Sequence, residues 1–242
     1  MKIDLIIKKV LSYNPKADIS MIKKAYEFAR VIHKSQKRAS NQSYIQHPLN
    51  VAMILADLKL DEATIAAALL HDTIEMSATT LEYIKNKFGS EIALLVDGMT
   101  NASKLRSDNA ENLNKILLAT TKDIRVIFIK LADKLHNMQT LQYLPKDRQK
   151  IFAQEVLDIY APLAYRLGMW NIKNELEDLS FKYLFPSDYR KISKKVSEIR
   201  KTGMQKIRAV KGVLKRELKR NNIKAEIYGR IKHIYSIHKK LI

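Results

Sequence analysis

Apolar residues recur at helical spacing through most of this chain. Ile22, Ala25, Ala29 and Ile32 fall on one helix face, and Val51, Ile54, Leu55 and Leu58 on another after Pro48, a residue suited to a first helical turn. Asp61 is placed to cap a helix through TIAAALLHDTIE (64–75), which is rich in Ala and Leu. Thr80 opens LEYIKNKF (81–88), and Gly89 closes it. Next come EIALLVDGMT (91–100), a polar loop near Ser107 to Asn109, and a helix through LNKILLAT (113–120). The stretch from Asp123 to Leu141 is strongly helical and stops at Pro145; helices at about 149–167 and 171–184 follow. Pro186 starts a long Lys-rich helix that reaches about Arg220.

Only KAEIYGRIKHIYSI (224–237) turns strand-like, with β-branched and aromatic residues around Gly229. One strand cannot bury a core, so residues 222–242 read as the start of an α/β domain. Without partner strands, they are expected to be mobile or docked against the helices, and to favour association. The expected architecture is all-α: a helical bundle over 1–185, a basic connecting helix over 186–221, and one terminal strand of a truncated α/β domain.

Composition narrows the function classes. The chain has 242 residues, 46% hydrophobic, enough for a core, and no cysteine, which removes disulfides, thiolate metal sites and a catalytic thiol. The N-terminal apolar run breaks at Lys8 and Lys9 and lacks a small-residue cleavage site, so neither a signal peptide nor a membrane span is expected, and the expected location is the cytoplasm. Net charge is +19, but residues 181–242 hold 19 basic and four acidic residues, leaving 25 basic against 21 acidic in the first 180. An argument for nucleic-acid binding therefore applies to the tail alone. Few aromatics are interleaved there, so a solvated helix face is the favoured reading and no specific nucleic acid is expected.

Two histidines sit in informative places. His71-Asp72 is an adjacent pair inside an apolar segment, and Glu75 follows one helical turn later. Asp133, Asn137 and Thr140 form a polar stripe at i, i+4 and i+7 on VIFIKLADKLHNM (126–138). His47 precedes Pro48, with Arg38 in the loop before it. Two His and two carboxylates make a mixed N/O set suited to a divalent ion such as Mn²⁺, Fe²⁺ or Zn²⁺, which can acidify a water and polarise a phosphoryl oxygen. The same residues also read as a satisfied core pair, an interhelical hydrogen-bond stripe, a helix cap and a surface charge. His136 is expected to point away from the Asp133 stripe, and His33, His233 and His238 to be structural or surface residues.

HKSQKR (33–38), YIQHPLNVAMILADLKLDEATIAAALLHD (44–72), FGSEIALLVDGMT (88–100) and IKLADKLHNMQTL (129–141) resemble the hydrolase domain of the RelA/SpoT alarmone enzymes. IYAPLAYRLGMWNIKNELEDLSFKYL (159–184) and IYGRIKHIYSIHKK (227–240) continue the resemblance in collinear order. It implies an all-helical HD fold over 1–185 that releases pyrophosphate from the 3′ position of guanosine tetra- or pentaphosphate, followed at 222–242 by the opening of the synthetase (pyrophosphokinase) domain. By position it implies His47, His71, Asp72 and Asp133 as ligands of one Mn²⁺, and Glu75 as the residue that polarises the attacking water. Arg38 would meet the substrate phosphates, Asn137 and Thr140 would line the nucleotide pocket, and Leu144 would lie against the base. In the synthetase motif Arg230, Lys232 and Lys240 would hold phosphates, with Ser236 matching as well.

The chain departs from the family pattern in three places. Met76 follows Glu75 where the family has aspartate, SNQSYI (40–45) replaces SGEPYI, and Tyr165 stands where histidine is usual. The expected function is thus Mn²⁺-dependent hydrolysis of guanosine 3′,5′-bis(diphosphate) (ppGpp) to GDP and pyrophosphate in the stringent response, with turnover impaired by Met76. The alternative is a catalytically weak or inactive fragment that binds nucleotide or metal, or regulates a separate chain carrying the rest of the synthetase. Synthetase activity is not expected, because its catalytic carboxylates and guanine-binding residues are absent from this sequence.

Overall fold

The computed structural model describes residues 3–104, 123–229 and 231–241. The polar loop expected near Ser107 to Asn109, the helix through LNKILLAT and Arg230 lie outside the described residues.

The helices are α1 (Ile3–Tyr13), α2 (Ile19–Ile32), α3 (Gln46–Asp57), α4 (Glu62–Leu70), α5 (Leu81–Phe88), α6 (Ser90–Lys104) and α7 (Arg125–Gln139). A 3₁₀ turn at Leu141–Tyr143 leads to α8 (Lys146–Glu155), a π turn at Val156–Tyr160, α9 (Ala161–Arg166), α10 (Trp170–Leu184), α11 (Pro186–Arg220) and α12 (Ile234–His238). Local chemistry sets several ends. Asp61 accepts from the Thr64 amide and Thr80 from the Tyr83 amide, each answering a donor that a first helical turn leaves open. Gly89 ends α5 at φ +90, a conformation that side chains rarely adopt. The helix expected over 149–167 is real but not uniform: its ladder widens to a π turn between α8 and α9.

Two apolar cores meet along α7. Val126, Ile129 and Ala132 join a core built from α1–α6, in which α4 is buried along its length between α2, α3 and α6. Ile127, Leu131, Leu135 and Met138 join a second core with α8–α10. The polar stripe of α7 emerges where the two cores part. Gly98 of α6 allows the close approach: a Cβ there would come 2.6 Å from Val126 Cγ2. Gly98→Leu should therefore lower the unfolding free energy by roughly 1–3 kcal/mol, the usual cost of overpacking; an unchanged denaturation midpoint would contradict this packing.

The terminal strand is not found among the described residues, whose one bridge is the isolated Lys37–Ser43 pair. Residues 223–229 run without ladder partners, and Ile234–His238 is helical. A strand needs an edge to pair with, and the neighbours here are helices. The tail docks instead, with Gly229 against Ile207 of α11, the Tyr235 amide on Asp178 Oδ1 (2.9 Å), and Tyr235 and His238 against Phe181 of α10. No helix among the described residues is long and apolar enough to cross a membrane.

Candidate metal centre

Three elements deliver the expected ligands to the seam between the cores. His47 lies in the first turn of α3, ahead of Pro48, and is buried. Asp133 comes from the polar stripe of α7 and is also buried. His71 and Asp72 follow the last residue of α4 directly. The helix expected to run on through Glu75 ends at Leu70, and His71–Met76 are turns. Thr73 accounts for the early end, because its amide (2.9 Å) and hydroxyl (2.7 Å) both take the Leu70 carbonyl. His71 is consequently buried and Glu75 exposed, rather than stacked on one face.

Donor atoms of His47, His71 and Asp133 lie within 4.8 Å of one another. Asp133 Oδ1 is 3.1 Å from His47 Nε2 and 3.9 Å from His71 Nε2, while Asp72 Oδ1 is 3.2 Å from His71 Nε2 and Asp72 Oδ2 is 3.6 Å from His47 Nε2. His71 Nδ1 donates to the Ala68 carbonyl at 2.8 Å, which turns Nε2 toward the carboxylates. That Nε2 is buried with no aligned hydrogen-bond partner.

The electrostatics favour a cation. Burial would raise the carboxyl pKa of Asp72 and Asp133, yet nearby histidines outweigh it and hold both below the usual carboxylate range, helped at Asp133 by Lys130. Burial would lower His71, yet the charges of Asp72 and Asp133 push it up to about 9. Two ionised carboxylates thus draw a proton onto His71, and a divalent ion can take its place. An orphaned imidazole nitrogen, a second imidazole and two carboxylates fit such an ion.

Arg38 ties the centre to a cleft. Its guanidinium lies 2.9 Å from His47 Nδ1 and 3.2 Å from His136 Nδ1, and donates to Asn137 Oδ1 at 2.5 Å; Asn137 in turn donates to Asp133 Oδ1 at 2.7 Å. Arg38, Asn137, Thr140 and Leu144 all line one cleft of about 290 Å³, together with Tyr44. The four residues that the resemblance assigns to substrate are thus gathered in one place.

The sequence assigns no site role to two neighbours of these side chains. His136, expected to point away, has its Nδ1 2.7 Å from His47 Nδ1. Burial, then the charges of His47 and Arg38, push it down to about 3, so it is a neutral ring able to accept. Its i+3 spacing from Asp133 was the available signal, since i and i+3 share a helix face. Tyr44, whose hydroxyl donates to Asp72 Oδ2 at 2.7 Å, carried no signal of its own. His33 is buried, as expected of a structural residue, with Nδ1 donating to Gln36 Oε1 at 2.7 Å.

The HD-domain sequence profile matches residues 25–170, well over half of the chain and the whole of this centre. The chain belongs to the HD-domain family. It is 48% identical over 237 residues to the guanosine-3′,5′-bis(diphosphate) 3′-pyrophosphohydrolase of Aquifex aeolicus, covering 97% of this chain and 34% of that protein. It is 45% identical over 240 residues to a GTP pyrophosphokinase of Myxococcus xanthus, covering 96% and 32%. The chain therefore spans about a third of the length of these curated relatives. Among solved structures it resembles a metazoan ortholog of SpoT described as hydrolysing ppGpp, with a TM-score of 0.53 and 27% identity over 67% of this chain and 94% of that one. The resemblance to RelA/SpoT enzymes holds across nearly the whole sequence.

Within this HD domain the departures take different forms. Asn41 stands where the RelA/SpoT pattern has glycine and adopts φ +63, the left-handed region that asparagine tolerates better than most residues. The turn closes with the Asn41 amide on the Arg38 carbonyl (2.8 Å) and the Arg38 amide on the Gln42 carbonyl (3.0 Å), so the arginine's loop is intact without that glycine. Tyr165 is exposed and packs edge-on against Trp170. Met76 is held by its main chain, its carbonyl accepting from Gln36 Nε2 (3.0 Å) and its amide donating to the Asp72 carbonyl (3.0 Å), while its side chain is 41% exposed. In the tail Lys232 and Lys240 are exposed and Ser236 half-buried.

Proposed function

We propose that residues 1–185 are a Mn²⁺-dependent pyrophosphohydrolase acting on guanosine 3′,5′-bis(diphosphate) or the corresponding pentaphosphate, releasing pyrophosphate and leaving GDP or GTP. One observation carries the reading: the buried His47, His71 and Asp133 donors, with Asp72 beside them, open through Arg38 and Asn137 onto the cleft that Thr140 and Leu144 line. His47, His71, Asp72 and Asp133 would hold the ion, which when bound supplies Lewis-acid polarisation and a more acidic water. Arg38 binds the 3′-diphosphate, its planar guanidinium matching two phosphate oxygens. Asn137 and Thr140 orient the nucleotide, and Leu144 meets the base. Glu75, exposed next to the buried ligands, would orient the water and take its proton as the water oxygen bonds to phosphorus and the P–O bond to the 3′ oxygen breaks, the proton then passing to that 3′ oxygen.

We further assign residues 186–221 as a connecting helix and 222–242 as the start of a synthetase domain, in which Arg230, Lys232, Ser236 and Lys240 would contact phosphates. The protein acts in the cytoplasm. Met76 supports a second reading, a chain that keeps the ion and the nucleotide but turns over slowly, or that regulates a separate chain carrying the rest of the synthetase. The deciding assay measures GDP and pyrophosphate released from guanosine tetraphosphate with and without Mn²⁺. Release that stops on chelation and returns with Mn²⁺ is expected. Absence of release from folded, manganese-loaded protein would favour the second reading.

A further inference from the structure

We propose that Tyr44 is a positioning residue of this centre: its hydroxyl fixes the orientation of the Asp72 carboxylate, and its ring supports the phosphate-binding guanidinium of Arg38. The second half rests on the hydrolase reading; the first does not. Tyr44 is anchored from both sides, its amide donating to the Gln36 carbonyl at 3.0 Å and its carbonyl accepting from the His47 amide at 2.9 Å. Its main chain thereby joins the Arg38 loop to the first turn of α3. Its ring is wedged among histidines, 4.8 Å from the His33 centroid and 6.0 Å from that of His47.

From this fixed position the phenol donates to Asp72 Oδ2 at 2.7 Å, while Asp72 Oδ1 faces His71 Nε2 at 3.2 Å. A phenol can only donate to an ionised carboxylate, so its bond to Oδ2 fixes the rotation of the carboxylate, with Oδ1 turned toward His71 Nε2. The other groups close to this carboxylate are His71 Nε2 and His47 Nε2, which would share the ion. Residues that orient a ligating carboxylate in this way typically contribute 10–100-fold to metal affinity, or about that order. On the opposite side, the Arg38 guanidinium carbon lies 5.8 Å from the centre of the Tyr44 ring, and both residues line the cleft. Hydroxyl and ring therefore serve different partners, and substitution can separate them.

The test titrates Mn²⁺ into the full chain, reading free ion by electron paramagnetic resonance, for wild type, Tyr44→Phe and Tyr44→Leu, with circular dichroism confirming the helical fold. Tyr44→Phe should raise the Mn²⁺ dissociation constant about 10–100-fold. Tyr44→Leu should do the same and, at saturating Mn²⁺, raise KM for guanosine tetraphosphate about two- to fivefold, the value of an exposed cation–π contact. Wild-type Mn²⁺ affinity in folded Tyr44→Phe would overturn the role assigned to the hydroxyl and leave the hydrolase reading intact. Weakened Mn²⁺ binding in Tyr44→Phe, beside a wild type that binds Mn²⁺ but releases no pyrophosphate, would uphold that role and sink the hydrolase reading instead.

Discussion

Asp133→Ala should lose stoichiometric Mn²⁺ and, with it, all measurable release of pyrophosphate. Asp133 Oδ1 is the atom on which the centre converges, 3.1 Å and 3.9 Å from the two imidazole nitrogens and within a 2.7 Å hydrogen bond of Asn137. Outer partners of metal ligands already contribute about 10–100-fold to affinity, and a ligand itself must contribute more. The substitution also cuts the link from Asp133 to the cleft, since Asn137 holds Arg38 while donating to Asp133. Asp133→Asn separates the two effects: its amide oxygen can still accept from Asn137, but the ligating charge is gone. Metal content by elemental analysis and turnover should therefore both collapse in Asp133→Asn while the helical spectrum persists. Mn²⁺ retained at wild-type stoichiometry in either variant would remove Asp133 from the ligand set.

How much of this was legible before the fold was known depends on how local each signal is. The caps at Asp61, Thr80 and Gly89 act within a turn, so residue type and position sufficed. The polar stripe of α7 was also readable, because Asp133 and Asn137 recur at helical spacing on an otherwise apolar segment. His136 escapes a stripe of i, i+4 and i+7, which omits i+3 although i and i+3 lie on one face. Tyr44 was not readable at all, since its hydroxyl meets a carboxylate 28 positions away through a turn with no periodicity. The end of α4 at Leu70 turned on Thr73, whose hydroxyl competes for a main-chain carbonyl inside a segment that is otherwise strongly helical in composition. At Ile234–His238 the β-branched content pointed to a strand, but such propensity expresses fit to a sheet surface, and none is present there among the described residues.

Met76→Asp should raise turnover, by up to about 10²–10⁴-fold if the restored carboxylate acts as a positioned acid or base. Its main chain is already set between the Arg38 loop and Asp72 by the bonds to Gln36 and the Asp72 carbonyl. A carboxylate at this position therefore starts from the rim of the metal centre without any rearrangement of the backbone. The side chain is 41% exposed, so an ionised aspartate stays hydrated and carries little of the desolvation cost that it would meet among the ligands. His47, His71, Asp72 and Asp133 are untouched, which predicts a rise in kcat with bound Mn²⁺ changed little. The combination distinguishes the two readings of this chain. A gain in kcat at constant metal content would identify a hydrolase slowed by one missing group, whereas a folded, manganese-loaded Met76→Asp protein with wild-type turnover would place the limitation elsewhere. In that case the altered loop at 40–45 is the next place to restore: Asn41 adopts the left-handed region that a glycine also reaches, but Gln42 and Ser43 stand where the family has glutamate and proline on the substrate side.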